Sequence, residues 1–77
     1  MNLVVVDDDV NMRKALEIAL SEYEEFRITS YKSATEALKK LDDEVDLIIT
    51  DINMPGIDGI EFVKQCGNKY DFIIITG

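Results

Sequence analysis

Three observations predict an α/β domain built on a parallel sheet. Short continuous apolar runs alternate with helical patterns from one end of the chain to the other, and no linker, repeat or low-complexity tract interrupts them. Two of the runs end in acidic residues: Leu3 to Val6 leads into Asp7, Asp8 and Asp9, and Leu47 to Thr50 leads into Asp51. If those two strands are parallel neighbours, their carboxylates meet at one edge of the sheet.

The elements follow in order. Leu3 to Val6 is a continuous apolar run, expected of a strand covered on both faces (β1). Asp9 can cap a helix running to about Glu22 (α1), with Met12, Leu16, Ala19, Leu20 and Tyr23 on one stripe. Phe26 to Tyr31 (β2) alternates apolar and polar residues, which suits a half-exposed edge strand. Ser33 followed by Glu36 is a capping-box signature for a helix reaching about Leu41 (α2). Asp42, Asp43, Glu44 and Asp46 read as a solvated acidic turn around the start of the next strand, Val45 to Thr50 (β3). A loop containing Met54, Pro55 and Gly56 then leads to Asp58, which can cap a third helix (α3) ended by Gly67. Phe72 to Ile75 (β4) is a last apolar run and reads as a strand buried on both faces.

Right-handed crossovers between these strands give a flavodoxin-like, doubly wound parallel sheet in the order β2-β1-β3-β4, incomplete by the standard of that fold. Met12, Leu16, Ile28 and Phe62 are expected in the core. An interior-type strand so near the end of the sequence implies an unpaired apolar edge, an aggregation hazard in isolation. Two arrangements would cover it: the chain is part of a longer domain, or two copies complete each other by edge pairing or a swap.

Composition narrows the function classes. Seventy-seven residues, 47% of them hydrophobic and 31% charged, suit one small globular domain. A net charge of −8 with no histidine opposes direct binding to nucleic acid or to an anionic membrane. A single cysteine, Cys66, cannot form an internal disulfide and reads as a small core filler, despite Lys64 and Lys69 nearby in sequence. No cationic start with a long apolar stretch resembles a signal peptide or a membrane span, so the cytoplasm is the expected compartment.

The acidic residues carry the chemistry. Asp9 is explained as a helix cap, and a lone Asp after a strand is often turn chemistry. Asp8 and Asp51 together are harder to explain away. Two carboxylates about 4 Å apart repel by roughly 4 kcal/mol at an effective dielectric near 20, so gathering them calls for a cation, a proton or a strong hydrogen-bond network. An all-oxygen ligand set favours magnesium or calcium.

Three motifs resemble one family: Val5-Val6-Asp7-Asp8, the segment from Asp51 through Asn53, Met54, Pro55 and Gly56 to Asp58-Gly59, and the strand ending in Thr76-Gly77. In order and spacing the whole chain resembles the first two-thirds of a response regulator receiver domain, the phosphoacceptor module of two-component signalling. Within that family, Asn11-Met12-Arg13-Lys14 and the Thr-Gly ending look most like receivers of enhancer-binding transcriptional activators, flagellar regulators included. The resemblance implies that residues 1–77 are the N-terminal portion of one domain, with a further helix, strand and helix and any output domain absent. It makes Asp51 the phosphoacceptor, served by a phosphohistidine on a sensor histidine kinase. Magnesium would be bound directly by Asp8, Asp51 and the backbone carbonyl of Asn53, while Asp7 would hold the metal's water shell. Thr76 would be the switch hydroxyl. Pro55 and Gly56 would shape the loop and Gly59 would allow close packing of α3.

The match has a gap, because no lysine here corresponds to the family lysine that pairs with the phosphoryl group, which should weaken phosphotransfer and switching more than metal binding. A homodimer or a swapped dimer is expected from the uncovered surfaces. Two other readings compete with the receiver: an interaction module that works through its exposed edge without phosphorylation, and a phosphatase of the haloacid dehalogenase type. The latter usually has a second Asp two residues after the nucleophile, where this chain has Asn53.

Overall fold

A computed structural model describes residues 1–75. Its elements are β1 (Asn2–Val6), α1 (Val10–Leu20), β2 (Arg27–Tyr31), α2 (Ala34–Lys40), β3 (Leu47–Asp51), α3 (Gly59–Cys66) and β4 (Asp71–Ile75). The four strands are parallel and lie in the order β2-β1-β3-β4, as the alternation predicts.

All three expected N-caps form. The Asp9 carboxylate accepts from the Asn11 and Met12 N–H groups, the Ser33 hydroxyl from Glu36 N–H, and the Asp58 carboxylate from Glu61 N–H. Gly67 ends α3, its N–H bonded to the carbonyls of Val63 and Lys64.

Because side chains alternate across a strand, the sheet has two unlike faces. On one, Val4, Val6 and Ile48 pack under α2 and α3 with Ala34, Ala37, Met54, Phe62 and Cys66. Phe62 is fully buried and meets Phe72 edge to face, with centroids 5.8 Å apart. The other face carries Leu3, Val5 and Ile49, also buried, and α1 lies over β1 and β2. No residue of α1 is itself buried.

Several sequence expectations need correction here. Phe62 belongs to the core, but Met12 is 40% exposed and Leu16 and Ile28 are only half-buried. The α1 stripe faces a sheet that it covers on one side only, so its apolar residues keep much of their surface in water. β4 is not covered on both faces: Ile73 is 50% exposed, and Ile74 is exposed as well. No further strand pairs with its outer edge among the described residues. The turn at Asp42 to Asp46 is also more than solvated charge. The Asp46 carboxylate accepts from Asn2 N–H at 2.7 Å, and the Asn2 side chain donates to the Glu44 carbonyl at 2.9 Å, so this turn clips the start of β1 to the approach to β3.

The loop between β3 and α3 makes a tight return to the sheet edge. Gly56 takes φ +77°, a conformation that side chains other than glycine's avoid. Gly59 is buried, and its N–H donates to the Ile52 carbonyl at 2.9 Å. A methyl group on Gly59 would overlap the Asp51 carbonyl oxygen and stand 2.9 Å from Ile52 Cα. Both obstacles are backbone, so neither can swing aside. Gly59→Ala is therefore expected to destabilise the fold by about 1–3 kcal/mol, the usual cost of an overpacked site. Urea unfolding midpoints of the two proteins measure it, and an unchanged midpoint would contradict the close approach.

Candidate functional site

The carboxyl ends of β1 and β3 build the site. Val6 lies opposite Thr50 in the parallel register, so Asp7 and Asp51 follow as neighbours on one face of the sheet. Both strands are apolar over most of their length, Leu3–Val6 and Leu47–Ile49, which lets them sit in the middle of the sheet and brings the aspartates that follow to one edge. Asp7, Asp8 and Asp51 each offer a carboxylate oxygen, and these oxygens lie within 4.8 Å of one another.

The three differ in environment. Asp7 is 4% exposed, its backbone N–H donates to the Tyr31 carbonyl at 3.2 Å, and its carboxylate accepts from Asp9 N–H at 2.9 Å. Asp51 is half-buried and Asp8 is exposed. Burial pushes the Asp7 carboxyl above the ordinary carboxylate range, the Asp9 N–H draws it partly back, and the charges of Asp51, Asp8 and Asp9 push it further up. The site thus holds its negative charge at a cost.

An open crevice of about 280 Å³ runs beside the cluster, lined by Asp7, Asp9, Met12, Asp51, Asn53 and Ile75. Asn53 is exposed at this rim. Three carboxylates form an all-oxygen donor set suited to a hard divalent ion. The buried, charge-crowded Asp7 is a group that such an ion would relieve. Asp9 spends its side chain on capping α1, as expected.

Beyond the cluster, Pro55 and Gly56 are exposed loop residues that do not line the crevice, and Gly59 carries the tight return to α3. The switch assigned to Thr76 lies outside the described residues. Cys66, the last residue of α3, is buried in the core cluster, and burial raises its thiol, which fits a core filler.

Two contributors were not foreseen from sequence. Met54 is buried in the core beneath the loop and anchors the segment that carries Asn53; an apolar residue between Asn53 and Pro55 was the available signal. Arg13 places Nη1 2.7 Å from the Asp7 backbone carbonyl. No spacing rule links an arginine inside a helix to a carbonyl before its cap, so nothing in the sequence announced it.

Comparisons with known proteins agree with this geometry. Residues 3–77 match the response regulator receiver domain model. The chain is 48% identical over 77 residues to the transcriptional regulatory protein FlgR of Helicobacter pylori, covering 100% of the chain and 20% of that protein. It is 40% identical over 80 residues to the C4-dicarboxylate transport transcriptional regulatory protein DctD of Rhizobium meliloti, covering 99% of the chain and 17% of that protein. Among solved structures, the response regulator TrrA of Thermotoga maritima, in complex with Mg(2+)-BeF, superposes with a TM-score of 0.83 at 36% identity, covering 97% of this chain and 68% of that one. The chain thus spans about a fifth of the length of the curated relatives named. With the parallel sheet, the acidic edge and the match over residues 3–77 in agreement, the chain belongs to the response regulator receiver domain family.

Proposed function

We propose that this chain is a phosphoacceptor module of two-component signalling, in which Asp51 accepts a phosphoryl group from a phosphohistidine of a sensor histidine kinase and the modified domain relays the signal to transcription control. One observation carries the reading: three carboxylates gathered within 4.8 Å at the carboxyl edge of the sheet, with Asp51 among them beside an open crevice. The transcriptional regulators named above support the relay.

In the transfer, an Asp51 carboxylate oxygen attacks phosphorus, the phosphorus–nitrogen bond of the phosphohistidine breaks, and the imidazole leaves with its electron pair. An acyl phosphate remains on Asp51. Asp8, Asp51 and the Asn53 backbone carbonyl would hold magnesium directly and Asp7 would hold its water shell. The ion, when bound, offsets repulsion between the carboxylate and the phosphoryl oxygens and favours an in-line approach. Burial of Asp7 and the Asp9 N–H keep that carboxylate fixed, and the half-buried Asp51 presents its oxygen to the crevice. Such a module signals; the transfer it performs is onto itself.

Exposed Ile73 and Ile74 at the outer strand support self-association as a second property of this chain.

Three outcomes are expected. Given a small phosphoramidate and magnesium, the chain gains a single phosphoryl group by intact mass, and Asp51→Asn or removal of magnesium by a chelator abolishes it. A wild-type chain that binds magnesium yet stays unmodified would overturn the reading. The second outcome concerns pH. A carboxyl raised in the folded state binds its proton more tightly there than in the unfolded chain, so metal-free stability falls as pH climbs from the ordinary value of 3.8 through the raised one, and stays lowered at neutral pH. Asp7→Asn should then melt higher than wild type at pH 7 without metal, lose that advantage below pH ~4, and gain less from added magnesium. Equal melting temperatures at both pH values would contradict the strain assigned to Asp7. Third, sedimentation should show concentration-dependent association that Ile73→Lys suppresses; a wild-type monomer at every concentration would remove the case for an edge-paired dimer.

A further inference from the structure

One cationic contact reaches the acidic edge from α1. Arg13, in the second turn of α1 and half-buried, donates from Nη1 to the Asp7 backbone carbonyl at 2.7 Å. No backbone N–H reaches that carbonyl among the described residues. The guanidinium lies near the amino end of α1, where the helix dipole disfavours a positive charge, so the contact is made against the local preference of the helix.

The Asp7 carbonyl belongs to the peptide unit whose nitrogen is that of Asp8. Peptide units are planar, so fixing this carbonyl fixes the direction in which the chain enters Asp8. Asp8 needs such help. Asp7 is buried and bonded to Asp9 N–H, whereas Asp8 is exposed and its carboxylate makes no hydrogen bond among the described residues. The aim of its carboxylate at Asp7 and Asp51 depends on the backbone beneath it.

We propose that Arg13 is a positioning residue of the acidic site: by holding the Asp7 carbonyl it sets the backbone that turns Asp8 toward Asp7 and Asp51, and so raises the site's affinity for a hard divalent cation. This rests on the metal-binding part of the function proposed above. Charge alone would act in the opposite sense, because a guanidinium near a divalent ion repels it and its removal would tighten binding. The two roles therefore differ in sign.

Magnesium titrations followed by amide-resolved NMR, with metal-free thermal melts, test this on wild type, Arg13→Met and Arg13→Lys. Loss of the donor in Arg13→Met should weaken magnesium binding roughly tenfold, the scale of an outer-shell partner. Arg13→Lys, which keeps a donor and a charge, should restore most of it, and the metal-free amide shifts of Asp8 should move more than those of Asp51. Arg13→Met that binds magnesium as well as wild type, or more tightly, overturns the proposal, including when its melting temperature falls, since that pattern is a tether between α1 and β1 and nothing more. If Arg13→Met loses its dispersed spectrum, Arg13→Gln, neutral and too short to keep the contact, takes its place under the same criteria. A wild-type chain that fails to bind magnesium overturns the metal-binding reading itself, whereas wild-type binding with an unaltered variant overturns the role of Arg13 alone.

Discussion

The parallel register of β1 against β3 is the constraint on which the acidic edge depends. With Val6 opposite Thr50, the next residue on each strand is an aspartate, and both side chains emerge on the same face. A slip of one residue would send one of them to the opposite face and bring an apolar residue out in its place. Burial of Val5, Val6 and Ile48 penalises such a slip on both faces at once. The far end of the strands adds a second restraint: the Asp46 carboxylate and backbone N–H both bond to the Asn2 backbone, at 2.7 and 2.8 Å. Five-residue strands are short enough that a clip at one end helps fix what happens at the other.

Legibility from sequence followed the source of each signal. β1 and β3 stood out because strands covered on both faces must be apolar throughout, and the caps stood out because Asp9, Ser33 and Asp58 act on backbone groups two or three residues away. Those are local rules. The same apolar pattern misled at β4, since a run such as Phe72 to Ile75 reports what a strand is suited to have around it rather than what lies there. The α1 stripe misled for the same reason: periodicity identified the face turned to the sheet, but not how far the sheet extends beneath it. Met54, Arg13 and the pairing of Asn2 with Asp46 depend on distances through space between segments far apart in sequence or differing in element type. No local pattern encodes them.

The loop that returns from the site to α3 is the point where packing and chemistry share atoms. The Thr50 hydroxyl donates to the Asp51 carbonyl at 3.1 Å, and Gly59 closes against that same carbonyl. Asp51 is thereby held at its backbone by the start of a helix and by its own strand, while its side chain remains half-buried at the crevice. In the reaction proposed for it, Asp51 would benefit from such restraint, because freedom of its backbone would reappear as lost orientation of its carboxylate.

The two faces of the sheet divide the work unequally. The side under α2 and α3 holds Phe62, Ile48, Met54 and Cys66, and most of the packing that stabilises so small a domain. The side under α1 carries the carboxylates, and there the helix buries none of its own residues. Dense packing around the cluster would desolvate Asp8 and Asp51 as burial does Asp7, raising the cost of their charge and closing the crevice beside them. An open α1 side keeps two of the three carboxylates in contact with water, so the like-charge cluster is tolerated without a core to oppose it. The larger packed cluster lies on one face, and on the other Leu3, Val5 and Ile49 are buried while Asp8 and Asp51 stay open to water.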